Sequence, residues 1–256
     1  TGLTQLVREA SVYRDLLTRL QAATTHADAN IVRSARAYLL AALAQDWRAP
    51  VLYLTARGKR AHNIAEQLPV WLDDTERIYR YAEPTPMLYD RLPWERAAIQ
   101  SRMETLNALQ STPTDAPQPL IIASARALMQ RTLPPESFRQ HLNTLRVGER
   151  HDPLKLAQRW VTMGYEPVTM VIEPGTFSRR GGILDIYPLA AKLPTRIDFF
   201  DDEIESLRTF DPSSQRTAQT TDRVTIPPAR EALPEAMPQV AEALQGAGRG
   251  GPAGAT

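Results

Sequence analysis

The stretch from residue 164 to residue 216 constrains the fold more than any other part of this 256-residue chain. Apolar and polar residues alternate along TRIDFF at 195–200, which is the pattern of a strand with one buried face. Turn-forming pairs stand before and after this strand, at Gly181-Gly182 and Asp201-Asp202. The stretch is therefore predicted to form an antiparallel sheet.

A helix is predicted directly before this sheet. Asp152 is a good N-cap, Pro153 suits the first helical position, and Gly164 can end the helix in the left-handed conformation. The strands are predicted at 168–172, 183–187, 195–200 and 203–210. The step of three from Ile204 to Leu207 breaks the alternation and predicts a β-bulge. One helix on an antiparallel sheet makes this an α+β module.

Charge is segregated within the same stretch. Basic side chains precede acidic ones, in the order Arg179, Arg180, Arg196, Asp198, Asp201, Asp202, Glu203 and Glu205. Phe200 lies on the polar face among them, and aromatic and arginine side chains are favoured anchors of protein interfaces. The residues fit equally well a solvated face with cross-strand ion pairs, the candidates being Arg180 or Arg196 with Asp198 or Asp201. A magnesium site at Asp201–Glu203 is disfavoured, because adjacent residues in a tight turn point apart.

Residues 1–133 show a different pattern, in which amphipathic helices alternate with short apolar strands. Helices are predicted at 3–20, 31–45, 59–68, 94–110 and 125–131, and strands at 51–55, 77–82 and 120–123. Ser124 is a favourable N-cap for the last of these helices. The alternation predicts an α/β layer with parallel strands.

This layer has no sequence that fits a phosphate-binding loop. Such a loop follows G-x-x-x-x-G-K-[S/T], in which backbone amides wrap the phosphates and the lysine neutralises their charge. The segment 30–37 has no glycine, and Arg36 and Ala37 stand where the lysine and the hydroxyl residue are needed. The segment 57–60 contains Gly-Lys but lacks the first glycine and the hydroxyl, so we interpret it as a solvated helix start. The sequence therefore predicts no nucleotide hydrolysis and no cofactor.

Composition excludes further classes of function. The net charge of +1 gives no global case for binding nucleic acid or membrane. The absence of cysteine excludes disulfides, thiol catalysis and cysteine-ligated zinc, and it fits a reducing compartment. The four histidines have no metal-ligand spacing, and the apolar runs are far shorter than the ~20 residues of a membrane span. We therefore expect a cytoplasmic protein without metal, membrane contact or small-molecule substrate.

Two segments carry a resemblance to a known family. They are GYEPVTMVIEPGTFSRRGGILDIYP at 164–188 and RIDFFDDEIESLRTFDPSSQRT at 196–217. Both closely resemble bacterial transcription-repair coupling factors, and UvrB of nucleotide excision repair shares a looser version of the pattern. YAEPTPMLYDRLPW, SRMETLNAL and ASARALMQRTLPPESF also resemble the first domain of that family, and the resemblance covers 30–228.

The resemblance implies a degenerate RecA-like layer interrupted by an inserted domain that binds UvrA. It places ATP-driven translocation and the contacts with RNA polymerase and DNA in other domains of the family. Arg180 matches an arginine that faces UvrA in UvrB and its relatives, whereas Ser178 stands where UvrB has another arginine, for which Arg179 is expected to compensate. The partner-binding surface is predicted to contain Phe177, Arg179, Arg180, Arg196, Asp201, Asp202 and Glu203.

The chain is therefore predicted to contain three regions. They are a degenerate RecA-like layer at 1–133, a UvrA-binding α+β domain at 134–228, and a disordered or truncated tail rich in proline, glycine and alanine at 229–256. The predicted function is recruitment of UvrA in nucleotide excision repair by a chain with no enzymatic activity of its own. The alternative is a fragment of a UvrB-like ATP-dependent repair enzyme.

Overall fold

The computed structural model of the chain describes residues 2–22, 26–84, 94–231 and 233. The chain divides into two compact units, Thr1–Gln130 and Arg131–Thr256. Most of the predicted tail at 229–256 lies outside the described residues. No helix within the described ranges is long and apolar enough to cross a lipid bilayer.

The first unit is an α/β layer built on a parallel sheet. Its helices are α1 (Gly2–Glu9), α2 (Ser11–Gln21), α3 (Arg36–Asp46), α4 (Gly58–Gln67), α5 (Arg96–Ser111) and α6 (Ala125–Leu128). Its strands are β1 (Val51–Thr55), β2 (Ile78–Tyr81) and β3 (Leu120–Ser124). Strands β1 and β2 lie on either side of β3 and run parallel to it, so the predicted parallel arrangement is confirmed.

The core of this unit lies on both faces of β3, whose five residues are all buried. Leu120 and Ile122 pack with apolar residues of α3 and α4, whereas Ile121 and Ala123 belong to a cluster with Tyr81 and Ala127. This distribution follows from strand geometry, in which successive side chains point to opposite faces. A central parallel strand covered on both faces therefore needs the continuous apolar run seen in the sequence.

Local signals set several boundaries in the first unit. Ser124 caps α6, because its hydroxyl oxygen accepts a hydrogen bond from the Ala127 amide at 3.2 Å. The single helix predicted at 3–20 is instead divided at Ala10, whose extended backbone begins α2. No glycine or proline lies near Ala10, so the sequence pattern did not predict this division.

The second unit combines two helices with two sheets. The helices are α7 (Pro135–Gln140) and α8 (Pro153–Thr162). The strands are β4 (Asn143–Arg146), β5 (Glu166–Pro167), β6 (Thr176–Arg180), β7 (Ile183–Tyr187), β8 (Thr195–Phe200), β9 (Glu203–Phe210), β10 (Thr217–Thr221) and β11 (Arg223–Ile226). The larger sheet has the order β10-β9-β8-β7-β6-β5 and is antiparallel except between β5 and β6, while β4 pairs with β11.

Helix α8 begins and ends as its sequence predicts. The Asp152 carboxylate accepts hydrogen bonds from the Leu154 and Lys155 amides at 2.8 and 3.3 Å, and Gly164 has a φ of +94°. The helix buries Trp160, whose indole N–H donates to the Asn143 side chain at 3.2 Å. Trp160 also packs against Phe177 of β6, so α8 lies on the larger sheet, as predicted for an α+β module.

The strand predicted at 168–172 is wrong. Only the two residues of β5 pair with the sheet in this region, and the last backbone hydrogen bond to β6 comes from the Val168 amide to the Phe177 carbonyl at 2.8 Å. Val171 instead packs with Tyr187 and Phe210. The Val171 carbonyl accepts a hydrogen bond from the Gln215 side chain at 3.2 Å, so a side chain satisfies a group that a strand would have paired.

The predicted bulge in β9 is confirmed. Asp198 pairs with Ser206, whereas the next residue, Phe199, pairs with Ile204. Glu205 is therefore the additional residue of the bulged strand. The bulge returns Ile204 and Leu207 to the same buried face, where each is fully buried.

Candidate partner-binding surface

Antiparallel pairing brings two turns to the same end of the larger sheet. The β6–β7 turn contains Gly181 and Gly182, and the β8–β9 turn contains Asp201 and Asp202. The Phe199 amide donates to the Gly182 carbonyl at 2.8 Å, which fixes the first turn beside the end of β8. We name the residues 179–182 and 200–203 the hairpin end.

Both turns use the left-handed region of the backbone. Gly181 has a φ of +59° and Asp201 has a φ of +58°. Glycine adopts this region without steric cost, and aspartate is one of the few other residues that tolerate it in hairpin turns. The hairpin end thus contains most of the residues predicted for the partner-binding surface.

A buried carboxylate lies beneath the hairpin end. Asp185 on β7 is 0% exposed and binds two arginines. The Arg180 guanidinium donates to Asp185 Oδ2 at 2.6 Å, and Arg196 donates through Nε to Oδ1 at 2.7 Å and through Nη2 to Oδ2 at 2.9 Å. Because two oxygens of one carboxylate hold both guanidinium groups, the direction of each side chain is fixed.

The two arginines differ in exposure. The Arg180 side chain is 51% exposed, whereas the Arg196 side chain is 18% exposed and lies over the Phe210 ring at 4.7 Å. The hydrogen bond to Asp185 raises the pKa of Arg196, and the charges of Asp185 and Asp198 add to this while burial opposes it. Arg196 therefore holds the Asp185 carboxylate in place, and Arg180, which binds the same carboxylate, carries the more accessible charge.

Arg179 lies on the other face of β6. Side chains alternate along a strand, so Ser178 and Arg180 share one face and Phe177 and Arg179 share the opposite face. Arg179 is exposed and has no ion-pair partner among the described residues. The expectation that Arg179 takes the role of an arginine at position 178 is therefore wrong, since the two side chains project from opposite faces.

The assignment of Phe177 to the partner-binding surface is also corrected by the structure. Its side chain is 4% exposed and packs edge-to-face against Trp160 with ring centroids 5.5 Å apart. A side chain enclosed between the sheet and α8 cannot contact a partner. Phe177 therefore contributes to the core under β6.

The exposed aromatic of the hairpin end is Phe200. It is 76% exposed at the end of β8, opposite Glu203. An exposed phenylalanine gains free energy when a partner removes it from water, by about 2 kcal/mol for a fully buried side chain. Phe200 is therefore the apolar residue of this surface that the alternation of TRIDFF correctly predicts.

The acidic turn has a basic neighbour that the sequence patterns did not indicate. Arg150 lies 3.7 Å from Asp202 and 3.5 Å from Glu203, and all three side chains are about half exposed or more. The Gly148 amide donates to the Ile204 carbonyl at 2.8 Å, which places the segment before α8 alongside β9. Exposed pairs of this kind stabilise a fold by less than about 1 kcal/mol.

The cross-strand ion pairs also differ from the predicted ones. Arg180 and Arg196 both pair with Asp185, whereas Asp198 accepts from Arg208 and from Ser206, each at 2.6 Å. Asp185 was missed, although a carboxylate within the apolar strand ILDIY is a usable signal. Such a residue must be paired when it is buried.

Metal binding finds no support in the part of the chain that the structure describes. No group of three or more histidine, cysteine, aspartate or glutamate side chains is arranged there to hold an ion. Asp202 and Glu203 are engaged with Arg150, and Asp201 is at the tip of its turn. The hairpin end thus presents two accessible arginines on opposite faces of β6, one exposed aromatic ring and an acidic turn.

Comparison with known proteins relates this chain to known families. Residues 144–231 match the model of the UvrB interaction domain. The transcription-repair-coupling factors of Bacillus subtilis, Myxococcus xanthus and Escherichia coli are 31, 35 and 32% identical over 207, 205 and 198 residues. These matches cover 80, 78 and 77% of this chain but only 17% of each relative. The chain is therefore similar to one part of the transcription-repair-coupling factors, and residues 144–231 of its second unit match the UvrB interaction domain.

Proposed function

We propose that the second unit recruits UvrA by docking its hairpin end, as a step of nucleotide excision repair that needs no chemistry from this chain. The observation that carries the proposal is the Arg180–Asp185 pair within the segment that matches the UvrB interaction domain. The proposed docking domain spans 134–228, and the RecA-like layer spans 1–133. The proposed place of action is the cytoplasm.

The geometry of Arg180 suits an interface anchor. One donor of its guanidinium is fixed on a fully buried carboxylate, and half of the side chain is accessible to a partner. An arginine that is already ordered loses less side-chain entropy on binding than a mobile one, at about 0.5–1.5 kcal/mol per immobilised side chain. Arg180 can therefore present its remaining donors to a carboxylate of the partner at low cost.

Phe200 and the acidic turn add two further kinds of contact. The phenyl ring offers apolar area at the same end of the sheet, and Asp201 to Glu203 offer carboxylates to basic groups of a partner. Interfaces of moderate size combine a few anchors with a polar rim in this manner. We therefore place Arg180 and Phe200 at the centre of the interface and Asp201, Asp202 and Glu203 at its rim.

Binding of UvrA to the Arg180→Ala variant tests this proposal. Isothermal titration calorimetry with purified UvrA is expected to show an affinity at least tenfold lower, equivalent to about 1.4 kcal/mol. Asp185 keeps its two hydrogen bonds from Arg196 in the variant, so the fold is expected to persist. Circular dichroism checks that it does.

Arg216→Ala is the matched control. Arg216 is an exposed arginine of the same unit that lies between β9 and β10, and its replacement removes the same charge. Its affinity for UvrA is expected to stay within twofold of that of the unchanged chain. Equal affinities for the unchanged chain and Arg180→Ala would exclude Arg180 as an anchor.

A further inference from the structure

A basic cleft lies in the first unit, far along the sequence from the hairpin end. Its volume is about 710 Å³, and it opens where β1 ends and α4 begins. Five cationic residues line it, namely Arg33, Arg36, Arg57, Lys59 and Arg60. Tyr53 on β1 also lines it, and the position is the carboxyl end of a parallel strand, where α/β folds commonly bind ligands.

The charge of this basic cleft is not neutralised locally. No acidic residue lines it. All five cationic residues are exposed, and none has an ion-pair partner within the described residues. This concentration occurs in a chain whose net charge is only +1, so it is a local feature. Like charges held close together repel, and an anion in the cleft would relieve that repulsion.

The start of α4 adds little to the positive potential, because the Glu83 carboxylate lies against Gly58. Arg57 precedes the helix, and no side chain caps it. The first intrahelical hydrogen bonds come from the Arg60 and Ala61 amides to the Arg57 carbonyl, so the Gly58 and Lys59 amides lie before them. A helix N-terminus favours an anion, and Glu83 already supplies one at this end of α4, so the positive charge of the basic cleft comes from its five cationic side chains.

We propose that the basic cleft binds the phosphate backbone of a nucleic-acid strand. Five long cationic side chains from two separate segments, 33–36 and 57–60, can each neutralise a different phosphate along a strand. The partly buried Tyr53 ring provides a surface on which a base can stack. The site is distinct from the hairpin end and does not depend on UvrA recruitment.

A nucleoside triphosphate fits the basic cleft less well. Its phosphates converge on one point and are usually cradled by glycine-rich backbone and by a magnesium ion. The segment 30–37 has no glycine, and the cleft is lined by no carboxylate that could hold magnesium. Charges spread over long side chains suit a chain of separated phosphates.

Fluorescence anisotropy with a labelled single-stranded DNA tests the proposal on the full chain. A mixed-sequence oligonucleotide of about 16 nucleotides covers the range of single-strand binding sites. The triple variant Arg36→Ala, Arg57→Ala and Arg60→Ala is expected to bind at least tenfold more weakly at low salt. The slope of log affinity against log salt should fall by about 2, at about 0.7 per lost phosphate contact.

A second triple variant removes the same charge elsewhere. Arg159, Arg216 and Arg223 are exposed residues of the second unit, and replacing them with alanine is expected to change DNA binding by less than twofold. The Arg36, Arg57 and Arg60 variant should bind UvrA as the unchanged chain does. Failure of the DNA proposal is thereby distinguished from failure of the docking proposal.

Three outcomes would overturn the proposal. The first is that the unchanged chain does not bind the oligonucleotide at low salt. The second is an equal loss in both triple variants, which would mean that any positive charge serves. The third is that the Arg36, Arg57 and Arg60 triple variant loses affinity for ATP, added as a competitor, but keeps its affinity for the oligonucleotide.

Discussion

The hairpin end and the basic cleft both present arginines, but they hold them differently. Arg180 of the hairpin end shares the buried carboxylate of Asp185 with Arg196 of β8. In the basic cleft, no arginine pairs with a carboxylate among the described residues. A fixed arginine offers donors in one direction and suits a shaped protein partner. Mobile, unpaired arginines can follow the phosphates of a flexible strand.

Burial is the physical origin of this difference. Asp185 lies in the middle of a sheet and is fully buried, so its charge must be compensated within the protein. The arginines of the basic cleft are exposed, and water solvates them. The fold of the second unit therefore depends on the arginines that pair with Asp185, whereas the fold of the first unit does not depend on the exposed arginines of the basic cleft.

The largest expected effect comes from Asp185→Ala. The change leaves Arg196, which is 18% exposed, without its carboxylate. Breaking a buried ion pair by removing one partner costs about 3–5 kcal/mol, and we expect the lower end because Arg180 is half exposed. Urea unfolding of the second unit measures the loss. Asp201→Asn, at an exposed turn whose left-handed backbone asparagine also tolerates, is the control and should change stability by less than about 0.5 kcal/mol.

A loss of stability below about 1 kcal/mol for Asp185→Ala would contradict the contrast between the two surfaces, because it would mean that Arg180 and Arg196 are positioned without the carboxylate. If Asp185→Ala stays folded but loses UvrA binding, the result would support the positioning of Arg180 by Asp185. That combination separates the positioning of Arg180 from the stability of the sheet.

A smaller effect is expected from Arg57→Ala in the basic cleft. Arg57 is exposed and unpaired among the described residues, so the free energy of unfolding should change by no more than about 0.5 kcal/mol. Any change should stabilise the unit at low salt, because one of five like charges is removed. Urea unfolding at low and high salt measures it. Destabilisation above about 1 kcal/mol would show that Arg57 has a structural role.

The smallest effect concerns a carboxylate that relies on no arginine. Hydrogen bonds to the Asp211 carboxylate, first from the Ser213 hydroxyl and then from the Ser214 amide and hydroxyl, lower the pKa of Asp211 to about 2. Because the folded pKa lies below the ordinary 3.8, the stabilisation is present above pH 3.8 and is lost as pH falls towards about 2. Carboxyl NMR titration measures this pKa, and Ser213→Ala should raise it. A titration at 3.8 in the unchanged chain would contradict these hydrogen bonds.

Local chemistry made several elements predictable. Asp152-Pro153 and Gly164 bound α8 because a cap and a left-handed glycine act within one turn of the helix. The apolar run of β1 and the alternation of β8 read directly as strands. The spacing between Ile204 and Leu207 revealed the bulge, because only an additional residue could keep both side chains in the core.

Contacts between distant segments were not predictable. Strand β4 pairs with β11, in which Val224 lies opposite Leu145 and 79 residues after it, and neither strand has a strong pattern of its own. The strand predicted at 168–172 does not form. The Val171 side chain packs with Tyr187 and Phe210 instead, and its carbonyl accepts a hydrogen bond from Gln215. These pairings and contacts depend on which surfaces meet after folding, so a short stretch of sequence does not predict them.

Residue types and their spacing were enough to predict that the chain combines a parallel α/β layer lacking a phosphate loop with a charge-segregated antiparallel sheet. They also identified Arg180 and Phe200 as exposed residues of that sheet. Three features became visible in the folded chain. Phe177 lies in the core, Arg179 and Arg180 project from opposite faces, and the Asp185 carboxylate accepts a hydrogen bond from Arg180. The physical reason is that residue type and spacing set local conformation, whereas the burial of a carboxylate and the choice of its partners arise only when strands pack together.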